Sequence, residues 1–401
     1  MRGYAGFMML TGTPKTLPAE PARRLDRVSP FLAMDVLAQA GLKEARGESV
    51  VHMEVGQPSA PAPRAAREAA IAALQRGPVG YTEALGIGPL RERIARHYRE
   101  VHGLDIAPER VVVTTGSSAG FVLAFLSLFE PGARVAITAP GYPAYRNIME
   151  ALDLRPTPIP LTRADGFVMT AAAVERLHAE APLAGILAMS PANPSGTMIG
   201  REALRTLGET CRRRGLWFVS DEIYHGLTYG TPAETALAFD DEAVVVNSFS
   251  KYYCMTGWRI GWLVVPPRLV RPIERLAQNL YISPPYLSQV AALAAMDARE
   301  ELEQVREGYA RNRAILLDAF PGLGLGDAHP ADGAFYLYVD VARFTNDSLA
   351  FCRAMLEEAG VASTPGLDFD PVEGGHYCRF SFAGSEADCV EAVRRLRGWL
   401  T

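Results

Sequence analysis

Six short runs in the middle of this chain are apolar on odd and even positions alike: RVVVTTGSS, ARVAITAPGYP, GILAMSPANPSG, GLWFVSDEIY, AVVVNSFSK and GWRIGWLVV. A strand with one wet face alternates apolar and polar residues. A strand apolar throughout is buried on both faces, which needs a sheet covered by helices. Stretches of helical character separate the runs, around 119–129, Ala144–Leu152 and Arg201–Arg213. Repeated strand–helix units predict an α/β fold in doubly wound layers. The runs also end alike. Gly116-Ser117-Ser118, Tyr142, Asn193, Asp221 and Ser248 stand at C-terminal strand ends, the edge where open α/β sheets hold ligands. Five polar strand ends in succession predict one large site.

The flanks read differently. Residues 1–28 are rich in Pro, Thr and Arg and read as an arm. From Pro30 to Arg46, Phe31, Met34, Leu37, Ala38 and Leu42 recur at helical spacing. VVHMEVGQP follows as a short strand stopped by Gly56 and Pro58. After Pro284 come a long helical stretch (Ser288 to Phe320), a loop, then GAFYLYVDV, a helix near Asp347–Ala359, HYCRFSFAG and a final helix. These predict a smaller α+β unit. The expected organisation is an N-terminal arm at 1–28, a small domain from 29–55 with 288–401, and a large domain at 56–287. A chain of 401 residues can bury two or three such cores.

Composition excludes several functions. A net charge of −5 offers no electrostatic footprint for nucleic acid. No apolar run approaches the roughly 20 residues that span a membrane. Met1 to Pro14 carries only a short apolar patch, too short for a signal-peptide core. The five cysteines form no CxxC pair and the seven histidines no HxH or HExxH pattern, so no metal site is expected. Free thiols fit a reducing cytoplasm.

Of 40 basic residues only three are lysines, Lys15, Lys43 and Lys251. Arginine supplies charge almost anywhere, but it cannot supply a deprotonatable amine. A lysine kept just after a buried strand suits an amine nucleophile such as a Schiff base, and an apolar surround would lower its pKa. A leftover surface lysine is the plainer alternative. The other residues also have plain readings. Gly116 to Ser118 can be an N-cap, Tyr142 packing, Asn193 turn chemistry and Tyr81 a core aromatic. Asp221 ends a mostly apolar run, so a buried carboxylate there needs a cation, from a salt bridge or a ligand.

The segment S-F-S-K-Y-Y-C-M-T-G-W-R-I-G closely resembles the pyridoxal-phosphate attachment segment of class I aminotransferases, the aspartate aminotransferase-like branch of fold type I. That segment has a serine three residues before the lysine and an arginine eight after it, here Ser248 and Arg259. Cys254 departs from the usual small residue. The resemblance runs from about Ser29 to the C-terminus with its segments in order. It implies a large domain with a mostly parallel central sheet plus a smaller α+β domain, and pyridoxal 5'-phosphate carried on Lys251. The phosphate partners implied are Gly116, Ser117, Ser118, Ser248 and Arg259. Tyr142 would stack on the pyridine ring, Asn193 and Tyr224 would share its phenolic oxygen, and Asp221 would pair with its protonated nitrogen. Tyr81 would reach the phosphate of a neighbouring subunit, which implies a homodimer with shared sites. Arg379, in YCRFSFAG, would clamp the substrate carboxylate, with Gly56 and Asn193 beside it. Phe335, in GAFYLYVD, is a weaker candidate for lining the side-chain pocket, and core packing is at least as good a reading there.

The activity implied is transfer of an amino group from an L-amino acid to a 2-oxo acid by a ping-pong route, with Lys251 moving the α-proton. The same motifs also serve carbon–sulfur β-lyases and lyases of the aminocyclopropane-carboxylate type. A non-catalytic sensor on this scaffold would need a DNA-binding domain, for which the arm is far too short. Ser118 stands where some aspartate-using relatives carry a lysine, which implies neutral, aromatic or broad substrates.

Overall fold

In a computed structural model of the chain, residues 20–326 and 329–400 are described. Lys15, the Met1–Pro14 segment and most of the expected arm lie outside them. Twelve strands are present among the described residues: β1 (Val51–His52), β2 (Val111–Thr114), β3 (Arg134–Ala139), β4 (Arg155–Pro160), β5 (Gly185–Met189), β6 (Trp217–Asp221), β7 (Val244–Ser248), β8 (Gly261–Val264), β9 (Tyr336–Asp340), β10 (Val361–Ala362), β11 (Thr364–Pro365) and β12 (Tyr377–Ser381). Seven of them form one sheet in the order β2-β8-β7-β6-β5-β3-β4.

All neighbours in that sheet are parallel except at β8, which runs antiparallel to both β2 and β7. The chain explains the exception. Parallel neighbours need a long crossover, and helices such as Arg201–Arg214 between β5 and β6 supply it. Between β7 and β8 only a 3-10 turn at Thr256–Trp258 intervenes, so the chain must return antiparallel. The expectation of two buried faces holds residue by residue. Leu187, Val219, Val246 and Leu263 enter one core, while Ile186, Phe218, Val245 and Trp262 enter the other.

The smaller unit contains the antiparallel sheet β11-β12-β9 and the parallel pair β1-β10. Because β1 pairs with β10, the N-terminal segment is tied to the C-terminal part of the chain. The helical stretch expected from Ser288 to Phe320 is two helices, Tyr286–Ala295 and Arg299–Ala319. The first packs chiefly on the helix Arg64–Gln75, the second on the final helix Glu386–Leu400. Position 288, an expected domain boundary, therefore falls inside a helix. No glycine or proline marks the break at 296–298, so composition alone left it invisible. The five cysteines are buried and unbridged. Among the described residues no helix is long and apolar enough to cross a membrane.

Candidate active site

The C-terminal ends of β5, β6 and β7 meet the helix Gly116–Leu128, the N-terminal helix Leu32–Ala45 and the small sheet around a cavity of about 170 Å³. Its lining includes Gly56, Ser117, Ser118, Tyr142, Asn193, Asp221, Tyr224, Lys251, Arg259 and Arg379. Ten residues singled out along 324 positions of sequence thus share one wall.

Asp221 ends β6 and is 2% exposed. The Tyr145 hydroxyl donates to its Oδ2, and the Ile223 N–H donates to Oδ1 at 3.0 Å. Burial pushes the carboxyl up to about 6, and those two hydrogen bonds and Lys251 oppose it. Lys251 follows β7, and its Nζ donates to the Gly56 carbonyl at 2.5 Å. The rings of Tyr224 and Phe335 lie 5.9 Å from that nitrogen. Burial lowers the ammonium to about 7, with Arg379 and Arg259 adding to the effect and Asp221 opposing it. A substantial share of the amine is therefore neutral near neutral pH.

Arg259 closes the other end of the same loop, in the left-handed region at φ 50°. Its Nη1 donates to the Thr256 carbonyl at 2.8 Å. Gly116, at φ +79°, is where that guanidinium meets the helix N-terminus: a Cβ there would stand 2.5 Å from Nη2. Ser117 and Ser118 begin the helix, whose first N–H groups have no partner within it. A cation, two hydroxyls and free amides converging at a helix start suit a phosphate.

Arg379, on β12, is 2% exposed. Its Nη1 donates to Asn193 Oδ1 at 2.9 Å, and its Nη2 donates to the Glu54 carbonyl at 2.5 Å and to Thr364 Oγ1 at 3.1 Å. The guanidinium lies over the Tyr336 ring at 4.3 Å and the Phe369 ring at 4.7 Å, while its Nε is buried without a partner. All these contacts are uncharged, an arrangement that a buried guanidinium tolerates best when an anion completes it. Tyr142 packs edge-on against Phe31 and Tyr145, at 5.9 and 5.3 Å, and burial pushes its hydroxyl up to about 12.

Three expected residues sit elsewhere. Ser248 stands one layer behind the cavity, its hydroxyl bonded to the Ile260 carbonyl and to Ser250, and Ser250 takes the place on the wall. Phe335 is fully buried, and its neighbour Tyr336 lines the cavity instead. Phe335 precedes β9 and packs behind the wall, its ring against Tyr224 and Tyr309. The Tyr336 hydroxyl bonds Tyr224 at 2.7 Å and lies where a Cβ on Gly56 would come within 1.7 Å, so only glycine fits there. Tyr81 lies outside the cavity lining with 82% of its surface exposed. Tyr145 and Tyr336 were missed by sequence reasoning. A signal existed for the first: it follows Tyr142 by three positions at the start of the helix Pro143–Ala151, a spacing that puts both on one face.

The family profile for aminotransferases of classes I and II matches residues 48–396. The valine–pyruvate aminotransferase of Mycobacterium tuberculosis is 47% identical over 377 residues, covering 93% of this chain and 97% of that protein. An arginine–pyruvate transaminase of Pseudomonas aeruginosa is 32% identical, covering 91% and 93%. A crystal structure of an aminotransferase from M. tuberculosis superposes with a TM-score of 0.93 at 46% identity, covering 95% of this chain and 99% of the other. The aspartate aminotransferase of Thermus thermophilus with maleate gives 0.89 at 30% identity, covering 95% and 99%. With the profile spanning most of its length and relatives matched nearly end to end, this chain belongs to the class I and II aminotransferases.

Proposed function

We propose that this aminotransferase takes its amino group from a neutral, aliphatic L-amino acid, uses pyruvate as an acceptor, and works through pyridoxal phosphate carried on Lys251. One observation carries the reading: Arg379 is a buried cation whose hydrogen-bond partners are all uncharged, in the same cavity as a half-buried lysine and a buried aspartate. A substrate carboxylate supplies the missing anion in bidentate form. The substrate class is supported by the apolar part of the lining, Phe31, Ala33, Met34 and Val55, and by the similarity to a valine–pyruvate aminotransferase. Among the described residues, no lysine or arginine besides Lys251, Arg259 and Arg379 lines the cavity to meet a second, acidic side chain.

The residues fit pyridoxal phosphate. Ser117, Ser118 and the helix start, with Arg259 against the bare Cα of Gly116, would hold its phosphate. Asp221 would face the ring nitrogen, Asn193 and Tyr224 the phenolic oxygen, and Tyr142 the ring face. When bound, the cofactor supplies an electron-withdrawing ring that accepts the amino group and stabilises the charge left by the departing α-proton. Arg379 holds the substrate carboxylate while Asn193 and Tyr336 brace the guanidinium. Tyr145 and the Ile223 N–H keep the Asp221 carboxylate oriented and charged. Lys251, with its pKa lowered to about 7, is suited to accept a proton at Nζ and return it. The buried walls exclude water while it does so.

We further propose a cytoplasmic homodimer in which the exposed Tyr81 of each subunit completes its neighbour's site, and a small domain built on β1, β9 and β10 to β12 beside a large domain built on the seven-stranded sheet. The test is a panel of amino acids against pyruvate and 2-oxoglutarate, followed by the visible absorbance of the cofactor. Fastest exchange from aliphatic donors to pyruvate supports the reading. Release of ammonia and pyruvate from cystathionine without amino exchange would overturn it.

A further inference from the structure

The stretch that joins β1 to the cavity is held from outside by a charged bridge. His52 Nδ1 lies 2.7 Å from Glu54 Oε1, and His52 Nε2 lies 3.2 Å from Glu44 Oε1. Glu44 belongs to the helix Leu32–Ala45, whose other end brings Ala33 and Met34 to the cavity wall. Glu54 is 0% exposed, with its second carboxylate oxygen buried and unpartnered. Its backbone carbonyl accepts from Arg379 Nη2 and, at 2.8 Å, from Thr364 Oγ1. Two residues on, the Gly56 carbonyl accepts from Lys251 Nζ at 2.5 Å. One short stretch of backbone therefore presents one carbonyl to the guanidinium and one to the amine, and a buried carboxylate anchors its start.

We propose that His52 is a positioning residue for substrate binding: by bridging Glu44 and Glu54 it fixes the stretch Glu54–Gly56, and so the placement of Arg379 and of the helix end that covers the cavity. This rests on the reading of Arg379 as the carboxylate binder. His52 does not touch the cavity. It acts through the carboxylate that anchors the backbone, which in turn meets the guanidinium. Glu44 from the helix and Glu54 from its own segment are the charged groups that face it. Lys43, beside Glu44, is engaged by Glu48 at 2.6 Å and Glu357 at 3.6 Å.

The bridge carries a proton over a defined range. The hydrogen bond to Glu54 leads in raising the imidazolium to about 9, with Glu44 assisting and burial opposing. The folded value lies above the unfolded value of about 6.5, so the contribution is complete below that value and is lost as pH rises through about 9. The substrate wall should loosen over the same range.

The experiment compares the wild-type holoenzyme with His52→Ala, His52→Arg and Arg379→Leu. It uses 3-methylbutanoate, a branched carboxylate without an amine, as a non-reacting probe. With His52→Ala at pH 7.5 the probe and the KM of the amino acid should weaken about tenfold while kcat stays within about twofold, the pattern of lost binding rather than lost chemistry. Cofactor retention should not change. In the wild type the probe's affinity should fall as pH passes about 9. His52→Arg keeps a charge above that pH and should restore affinity while abolishing the alkaline fall. Probe affinity unaffected by His52→Ala overturns the inference alone. So does a parallel loss of kcat, cofactor and melting temperature, or an alkaline fall that persists in His52→Arg. Probe affinity unaffected by Arg379→Leu overturns the carboxylate reading itself and the inference with it.

Discussion

Asp221 and Glu222 are adjacent, both carboxylates, and 2% and 1% exposed, yet they serve opposite faces of one sheet. Asp221 faces the cavity that holds Lys251 and Arg379. Glu222 faces inward on the other side, where Oε1 accepts from Ser220 Oγ at 3.1 Å, Thr235 Oγ1 at 3.0 Å and the Ala236 N–H at 2.9 Å. Beside it lies a second cavity of about 350 Å³, larger than the first, whose lining includes His97, His102 and His225. Burial pushes all three imidazoles below their ordinary value, His97 to about 4, and raises Glu222 to about 8. At neutral pH that face therefore holds neutral imidazoles and a protonated acid. Across the sheet, Asp221, Lys251, Arg259 and Arg379 line a smaller space. Size and burial do not separate an active site from a packing void. What separates them here is pairing: in the second cavity Arg93 is bridged to Glu100 and Asp297, while in the first Arg379 makes only uncharged hydrogen bonds.

The largest test of that contrast is Lys251→Ala, which should lower amino exchange by about 10⁴-fold or more, because nucleophile and proton carrier vanish together. Lys251→Arg should do no better, since it restores charge but not an amine that readily gives up its proton. Release of the 2-oxo acid product is the measurement. Asp221→Asn removes a pre-organised buried charge and should cost about 10²–10³-fold in kcat, with the visible spectrum of the cofactor altered. Tyr145→Phe takes one charge-assisted hydrogen bond from that carboxylate and should cost about tenfold in kcat, with a smaller effect on KM. Glu222→Gln tests the quiet face. Its activity at pH 7 should stay within about twofold, because Glu222 is already protonated there and lies outside the first cavity's lining. Its stability should depend on pH. The folded value of about 8 lies above the ordinary 4.5, so the native protein holds a proton that the unfolded chain has released. Wild-type stability thus declines between those values as pH rises, and the neutral glutamine escapes the decline. The variant should melt about 2 °C above the wild type at pH 9 and close to it at pH 4.5, as read by calorimetry. A Glu222→Gln as damaging as Asp221→Asn would erase the distinction between the two faces.

Much of the cavity was legible because its residues sit at strand ends, where a run of apolar positions makes the first polar one conspicuous. Asp221 and Asn193 were found that way, and Lys251 by its rarity among the basic residues. Gly56 and Arg379 came only from the family resemblance, since neither follows such a run. Tyr336 was missed beside Phe335, for which core packing was the equal reading, because composition does not fix register. Only the pairing of β9 with β12, Ser381 opposite Tyr336, decides which of two adjacent aromatics turns inward. Ser248 ends β7 and Ser250 lies in the loop beyond it, so no strand pattern tells which serine meets the cavity. The break between Tyr286–Ala295 and Arg299–Ala319 left no trace, because helix ends can rest on tertiary packing when no capping residue marks them.

The antiparallel return from β7 to β8 has a consequence for how the protein is made. Ser248 and Ile260 bond across 12 positions, and the loop between them carries both Lys251 and Arg259. Arg379 meets Asn193 and Glu54 across 186 and 325 positions. The wall that carries Lys251 and Arg259 is held by a short loop, and the contacts of Arg379 join the two ends of the chain at a higher entropic cost. A ribosome delivers every residue of the first wall before Arg379 emerges. The order of synthesis thus lets the nascent protein close the loop of Lys251 first and add Arg379 last.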